Sequence, residues 1–295
     1  MIKLENCDQL KAFLKKESKR LNISITNVYN TFFSRILLYK ISKHYYAKEF
    51  VVKGSFAQFV HINKLVRPIT DIDITTTDNS YNELMYLFQA INLEATKEND
   101  IRYDVNKKAQ TYTGINKFGL TANYGKIKHP IGIDYRENHP CIYERQIKPV
   151  PTIFTGDEPY NVVVPSIEET LAEKLCIIVE SNKEDMINTR VKDFYDIYQL
   201  HGGEYDLEKF SFFFEKMIIG RGNIKSIDDL STSHLSPKFV SEHQEIWEHC
   251  KKKYEFLDDE IDLEGSVYYT RAVLSEQLQK VRQGINKTYV YEKNK

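Results

Sequence analysis

Residues 50–76 read FVVKGSFAQFVHINKLVRPITDIDITT. The run Phe50-Val51-Val52 has strand character and leads straight into Gly54-Ser55. Phe56, Phe59 and Val60 then recur at helical spacing, so the segment reads as strand, tight turn, helix. A glycine at such a turn lets the backbone approach a ligand closely. The free N–H groups at the start of the helix favour a phosphate. Gly-Ser alone is most often an ordinary turn. Residues 71–76, DIDITT, give it more weight. They alternate as a strand, placing Asp71 and Asp73 on one face and Ile72 and Ile74 on the other. Two neighbouring carboxylates repel, and a cation offsets that repulsion. Oxygen-only ligands suit Mg²⁺. An isolated Asp-x-Asp is usually polar alternation on a surface; one placed after a strand, Gly-Ser and a helix is much rarer.

Outward from this stretch, residues 6–21, 25–45 and 82–93 read as helices, with Leu10, Phe13 and Leu14 and then Val28, Phe32, Ile36 and Tyr39 at helical intervals. Residues 109–123 and 126–136 look extended. In the second, Ile131 and Ile133 share a face and Asp134 points to the other, where it would join Asp71 and Asp73 if this strand lay beside 71–76; otherwise it is a solvent-facing strand aspartate. Pro149 and Pro151 begin a connecting region, and Val162-Val163-Val164 is a short strand. From Ser166 helix dominates, roughly over 166–182, 189–201, 206–219, 238–257 and 264–284, with a polar tail at 285–295. The fold class is α+β: residues 1–160 form an α+β domain whose first 48 residues are helical and basic, and residues 161–295 form a mainly helical domain.

Two helices of the second half carry misplaced charges. Ser166 and Glu169 form a capping-box pattern behind Pro165. At about 100° per residue from Ile167, Leu171 falls near 40°, Lys174 near −20° and Ile178 near 20°, so Lys174 lies inside the apolar stripe. Such a lysine snorkels or serves an inward-facing site. In RVKDFYDIYQL, residues 190–200, Asp193 falls within the apolar arc and Asp196 at its polar edge. Asp193 is therefore the inward candidate, or else a buried partner for Lys174 or Arg190. This geometry predicts that Lys174 and Asp193 face the cleft that receives Gly54, Ser55, Asp71 and Asp73.

The whole chain bounds the reading. Among 295 residues, 41% are hydrophobic and 28% charged, ordinary for a globular protein with a core. No apolar stretch is long enough to span a membrane, and the N-terminus lacks the apolar core of a signal peptide, which points to the cytoplasm. Cys7, Cys141, Cys176 and Cys250 are scattered and read as ordinary thiols. The net charge is −1, but residues 1–48 hold ten Lys/Arg against three Asp/Glu, and residues 204–264 hold eight against fifteen. Such asymmetry marks a polyanion-facing side or merely solvated helix surface.

Together these residues resemble the AbiEii/AbiGii toxin family of nucleotidyltransferases, of the polymerase-β type. Members carry a strand, Lys-Gly-Gly or Lys-Gly-Ser, a helix, and Arg-x-Thr-x-Asp-x-Asp. A helical half then supplies a Lys and a Lys/Arg-Asp-x-x-Asp run. The matches are Lys53-Gly54-Ser55, Arg67 through Thr70-Asp71-Ile72-Asp73, Glu168 through Lys174-Leu175, and Arg190 through Asp193-Phe194-Tyr195-Asp196. Pro68-Ile69 makes the spacing after Arg67 one residue longer than usual. The resemblance implies a toxin of a toxin–antitoxin or abortive-infection pair with a cognate antitoxin. It implies an NTP and Mg²⁺ (or Mn²⁺), and an RNA acceptor such as the tRNA 3′ end. It implies catalytic roles for Asp71, Asp73, Lys174 and Asp193, metal binding by Asp71 and Asp73, and nucleotide contacts from Lys53, Gly54, Ser55 and Arg67; Asp134 is a third metal candidate on the strand reading alone. The mechanism expected is a two-metal transfer of a nucleoside monophosphate with release of pyrophosphate. A small-molecule nucleotidyltransferase of the antibiotic-modifying type and a non-enzymatic nucleotide-binding module are the alternatives.

Overall fold

The computed structural model describes residues 5–76, 81–96, 100–110, 116–136, 144–183, 190–220 and 231–293. It divides into two compact units, Met1–Pro165 and Ser166–Lys295. Cys141 and part of the extended run expected over 109–123 lie outside the described residues.

The first unit opens with α1 (Cys7–Leu21) and α2 (Ile25–Ser42). Asn6 caps α1 by accepting hydrogen bonds from the amides of Asp8 and Gln9, and Ser24 caps α2 through Asn27 N. The helix expected to reach residue 45 stops at Ser42, and a 3-10 turn, Tyr45–Glu49, follows. Next come β1 (Val51–Val52), α3 (Gly54–Ile62), β2 (Asp71–Thr75) and α4 (Tyr81–Glu94). The remaining strands are β3 (Arg102–Gln110), β4 (Asn116–Tyr124), β5 (Ile127–Arg136), β6 (Arg145–Pro149) and β7 (Asn161–Pro165). Among the described residues, these seven strands form one mixed sheet in the order β3-β4-β5-β2-β1-β7-β6. β2 runs antiparallel to β1 and parallel to β5.

Burial fixes the register. Ile72 and Ile74 are 0% and 2% exposed, and Ile131, Ile133 and Tyr135 of β5 share their face. Burying such side chains contributes roughly 2 kcal/mol each. A one-residue slip would bury Asp71 and Asp73 instead, so the sheet has one acceptable pairing. α2 covers the apolar face: Phe33 stacks on His129, and Tyr103 Oη donates to the Phe33 carbonyl at 3.0 Å.

The connector after β6 is tied to both N-terminal helices. Arg35 of α2, 3% exposed, pairs with Asp157 at 2.7 Å and donates to the Pro151 carbonyl. Glu17 of α1, fully buried, accepts from Arg20 and from Thr155 Oγ1. Two of the basic residues that make the N-terminal segment positive are thus spent on internal ion pairs.

The second unit holds α5 (Ile167–Lys183), α6 (Val191–His201), α7 (Leu207–Gly220), α8 (Pro237–Tyr254) and α9 (Leu263–Lys293). The expected capping interaction is present, with Glu169 N donating to Ser166 Oγ at 3.2 Å. The segment read as a polar tail is helical to Lys293 as the last part of α9. α6 packs against α5, α8 and α9. Phe194, Tyr195, Ile197 and Leu200 are fully buried, and Tyr195 stacks on Phe256 with ring centres 3.9 Å apart. Among the described residues, no helix is long and apolar enough to cross a membrane.

Candidate active site

The turn after β1 brings two motifs together. Lys53 N donates to the Asp73 carbonyl at 2.8 Å. Gly54 then adopts φ +60° and starts α3. A Cβ placed on Gly54 would stand 1.8 Å from Asp73 Oδ2. The Asp73 carboxylate therefore lies against the first residue of α3, where only glycine leaves it room. Gly54→Ala combines a left-handed backbone, costing about 1–2 kcal/mol, with an overlap that must displace Asp73. It is expected to lower stability by about 2 kcal/mol or more in thermal unfolding; a wild-type melting curve would contradict this packing. Ser55 is 8% exposed, and its Oγ is buried with no hydrogen-bond partner among the described residues. A buried hydroxyl left in this way calls for an explanation, and a ligand at the start of a helix supplies one.

Asp71 and Asp73 point away from the buried isoleucines, as expected, and both are partly exposed. Thr70 Oγ1 donates to Asp71 Oδ1 at 3.1 Å. The condition set for Asp134 is met: β5 lies beside β2, with Asp134 directly opposite Asp73. Three carboxylates share one face. Arg67, on the connector between α3 and β2, is buried at 5% exposure.

One further charge stands in this group, and the sequence motifs do not single it out. Lys117 of β4 is opposite Asp134 of β5, and its Nζ is 2.9 Å from Asp134 Oδ2. That hydrogen bond first, and then the charges of Asp134, Asp71 and Asp73, hold the Lys117 ammonium above the usual lysine value against the opposing effect of burial. A signal for it exists in the sequence. The two-residue turn Gly125-Lys126 sets Tyr124 opposite Ile127, and counting back along both strands reaches Lys117 and Asp134.

Among the described residues, no three His, Cys, Asp or Glu side chains are drawn together tightly enough to hold a metal ion. Asp134 faces the Lys117 ammonium instead. The donor chemistry still suits a hard divalent cation: oxygen ligands only, on one strand face, with a glycine cradling one carboxylate.

Within the second unit, Lys174 is 9% exposed. Its Nζ donates to Asp193 Oδ1 at 3.0 Å and to Asp196 Oδ2 at 2.7 Å. The inward setting of Lys174 and Asp193 agrees with the helical-wheel reading. The setting of Asp196 does not, because it is fully buried and makes the shorter bond. A wheel with one apolar arc assumes one buried side, whereas α6 is covered by three helices. Asp193 Oδ2 takes no hydrogen bond among the described residues, with Arg190 3.9 Å away.

A family model described as nucleotidyl transferase AbiEii toxin, type IV toxin–antitoxin system, matches residues 35–275. No curated protein sequence matches at a significant level. Among solved structures, JHP933 from Helicobacter pylori is similar with a TM-score of 0.47 at 15% identity, over 88% of this chain and 96% of that one. A nucleotidyltransferase described as putative, also from H. pylori, gives 0.45 at 14% identity, over 86% and 96%. The antibiotic-resistance factor ANT(2'')-Ia gives 0.40 at 12% identity, over 65% and 95%.

Proposed function

This chain belongs to the nucleotidyl transferase AbiEii toxin family, and we propose that it transfers a nucleoside monophosphate from an NTP to an RNA hydroxyl at the site built around Asp71, Asp73, Gly54 and Ser55. The observation that carries this reading is the start of α3, where Gly54 admits the Asp73 carboxylate and the buried Ser55 hydroxyl has no hydrogen-bond partner among the described residues. The acceptor oxygen bonds to the α-phosphorus, the α–β phosphoanhydride bond breaks, pyrophosphate leaves and the hydroxyl proton passes to water. Ser55 Oγ and the first amides of α3 meet the triphosphate, whose charge suits a helix N-terminus. Lys53 and Arg67 add positive charge for the phosphates. Asp71 and Asp73 would hold Mg²⁺ or Mn²⁺, and Asp134 would join them only on leaving the Lys117 ammonium. Bound there, a divalent ion supplies charge to the phosphate oxygens and the leaving group. The family resemblance also implies a catalytic role for Lys174, which Asp193 and Asp196 orient within the second unit. The protein would act in the cytoplasm, held in check by a cognate antitoxin.

The choice of RNA is supported by α1. Lys11, Lys15, Lys16 and Lys19 are all exposed, and at about 100° per residue they occupy one side of the helix. A surface of this kind tracks phosphates. Its contacts release counterions, with a slope of log affinity against log salt of about −0.7 per contact for single strands. Replacing all four lysines with glutamine is therefore expected to weaken binding of tRNA severalfold and to flatten its salt dependence by one to three such increments. An unchanged slope, with label transferred to an aminoglycoside or another small acceptor in place of RNA, would favour a small-molecule enzyme.

A further inference from the structure

We propose that Lys117 is a positioning residue that keeps Asp134 from joining the metal site, and so sets the divalent-ion concentration at which the Asp71–Asp73 pair fills. The inference rests on the reading of that pair as the metal site. Lys117 Nζ stands 2.9 Å from Asp134 Oδ2, with the two side chains 52% and 27% exposed. An ion pair so accessible to water adds little to fold stability, so its consequence lies in what it does to its neighbours. Asp134 is the cross-strand neighbour of Asp73, and Asp71 lies two residues before Asp73 on the same face. The Lys117 ammonium thus interacts with all three carboxylates of this face and offsets part of their mutual repulsion.

The strand holds Lys117 in place. Asn116 and Phe118 on either side are 7% and 3% exposed, and β4 pairs with β3 on one edge and β5 on the other. Only the flexible stem of the lysine is adjustable. A divalent ion approaching Asp71 and Asp73 meets the positive charge of Lys117 and gains Asp134 as a ligand only by breaking its hydrogen bond. Two costs that oppose metal binding thus trace to one side chain.

The test measures Mn²⁺ binding to the full-length protein without nucleotide, by electron paramagnetic resonance of the free ion, with thermal unfolding of each variant recorded alongside. Lys117→Met is expected to tighten binding about tenfold, the factor corresponding to one pKa unit of charge interaction. Lys117→Arg keeps the charge and should bind within about twofold of wild type. In the Lys117→Met background, Asp134→Asn should remove most of the gain, because the effect runs through that carboxylate. A folded Lys117→Met protein that binds Mn²⁺ as wild type does, or more weakly, overturns the role of Lys117. Mn²⁺ binding that survives Asp71→Asn overturns the metal site itself, a separate result.

Discussion

Asp71→Ala is expected to abolish nucleotidyl transfer, with a loss of at least about 10³-fold, in a protein that still folds. The size comes from removing a ligand that positions charge at the reacting phosphate, where even one hydrogen-bond donor is worth about 10²–10³. The fold should survive because Asp71 is partly exposed and accepts its hydrogen bond from the adjacent Thr70 hydroxyl. β2 is held by Ile72, Ile74 and its pairing with β1 and β5. Asp73→Ala should be as inactive and less stable, since its carboxylate fills the space over Gly54. Circular dichroism and toxicity on expression check both. A folded Asp71→Ala protein that remains toxic would exclude the proposed role.

Lys174→Met should have the largest effect on stability. It leaves Asp193 and Asp196, 4% and 0% exposed, facing each other without their shared cation. Removing one partner from a buried ion pair costs about 3–5 kcal/mol, enough to lower the melting temperature by roughly 10 °C in a unit of this size. Asp196→Ala should be at least as damaging as Asp193→Ala, since Asp196 makes the shorter bond to Lys174. A Lys174→Met protein melting within about two or three degrees of wild type would show that the triad does not hold α5 to α6. Transfer measured on the folded fraction of this variant separates any catalytic role from the structural one.

Much of the site is legible in the sequence because its signals are short-range. The alternation of DIDITT, the Gly-Ser turn and the face of Asp134 each depend on a few neighbouring residues, and burial of Ile72, Ile74 and Ile133 enforces them. Features decided by distant neighbours are harder to see. β6 is an edge strand with mostly polar side chains, Arg145, Gln146 and Lys148, and is defined by pairing with β7 rather than by an apolar face. Most of β3 escapes a periodicity reading for a related reason: its sequence over 102–108, RYDVNKK, is polar, and β4 supplies the pairing. The helical wheel misplaces Asp196 because burial from three sides cannot be read from one helix. The last turns of α9 have a polar sequence, KTYVYEK, that hides a continuing helix.

The most direct measurement incubates the protein with Mg²⁺, total RNA and each NTP labelled in turn on the α- or the γ-phosphate. The expected result is RNA labelled from the α-phosphate of at least one NTP and never from the γ-phosphate, with the signal lost in Asp71→Ala and Asp73→Ala. Label arriving from the γ-phosphate, or α-label undiminished in a folded Asp71→Ala protein, would contradict nucleotidyl transfer at this site.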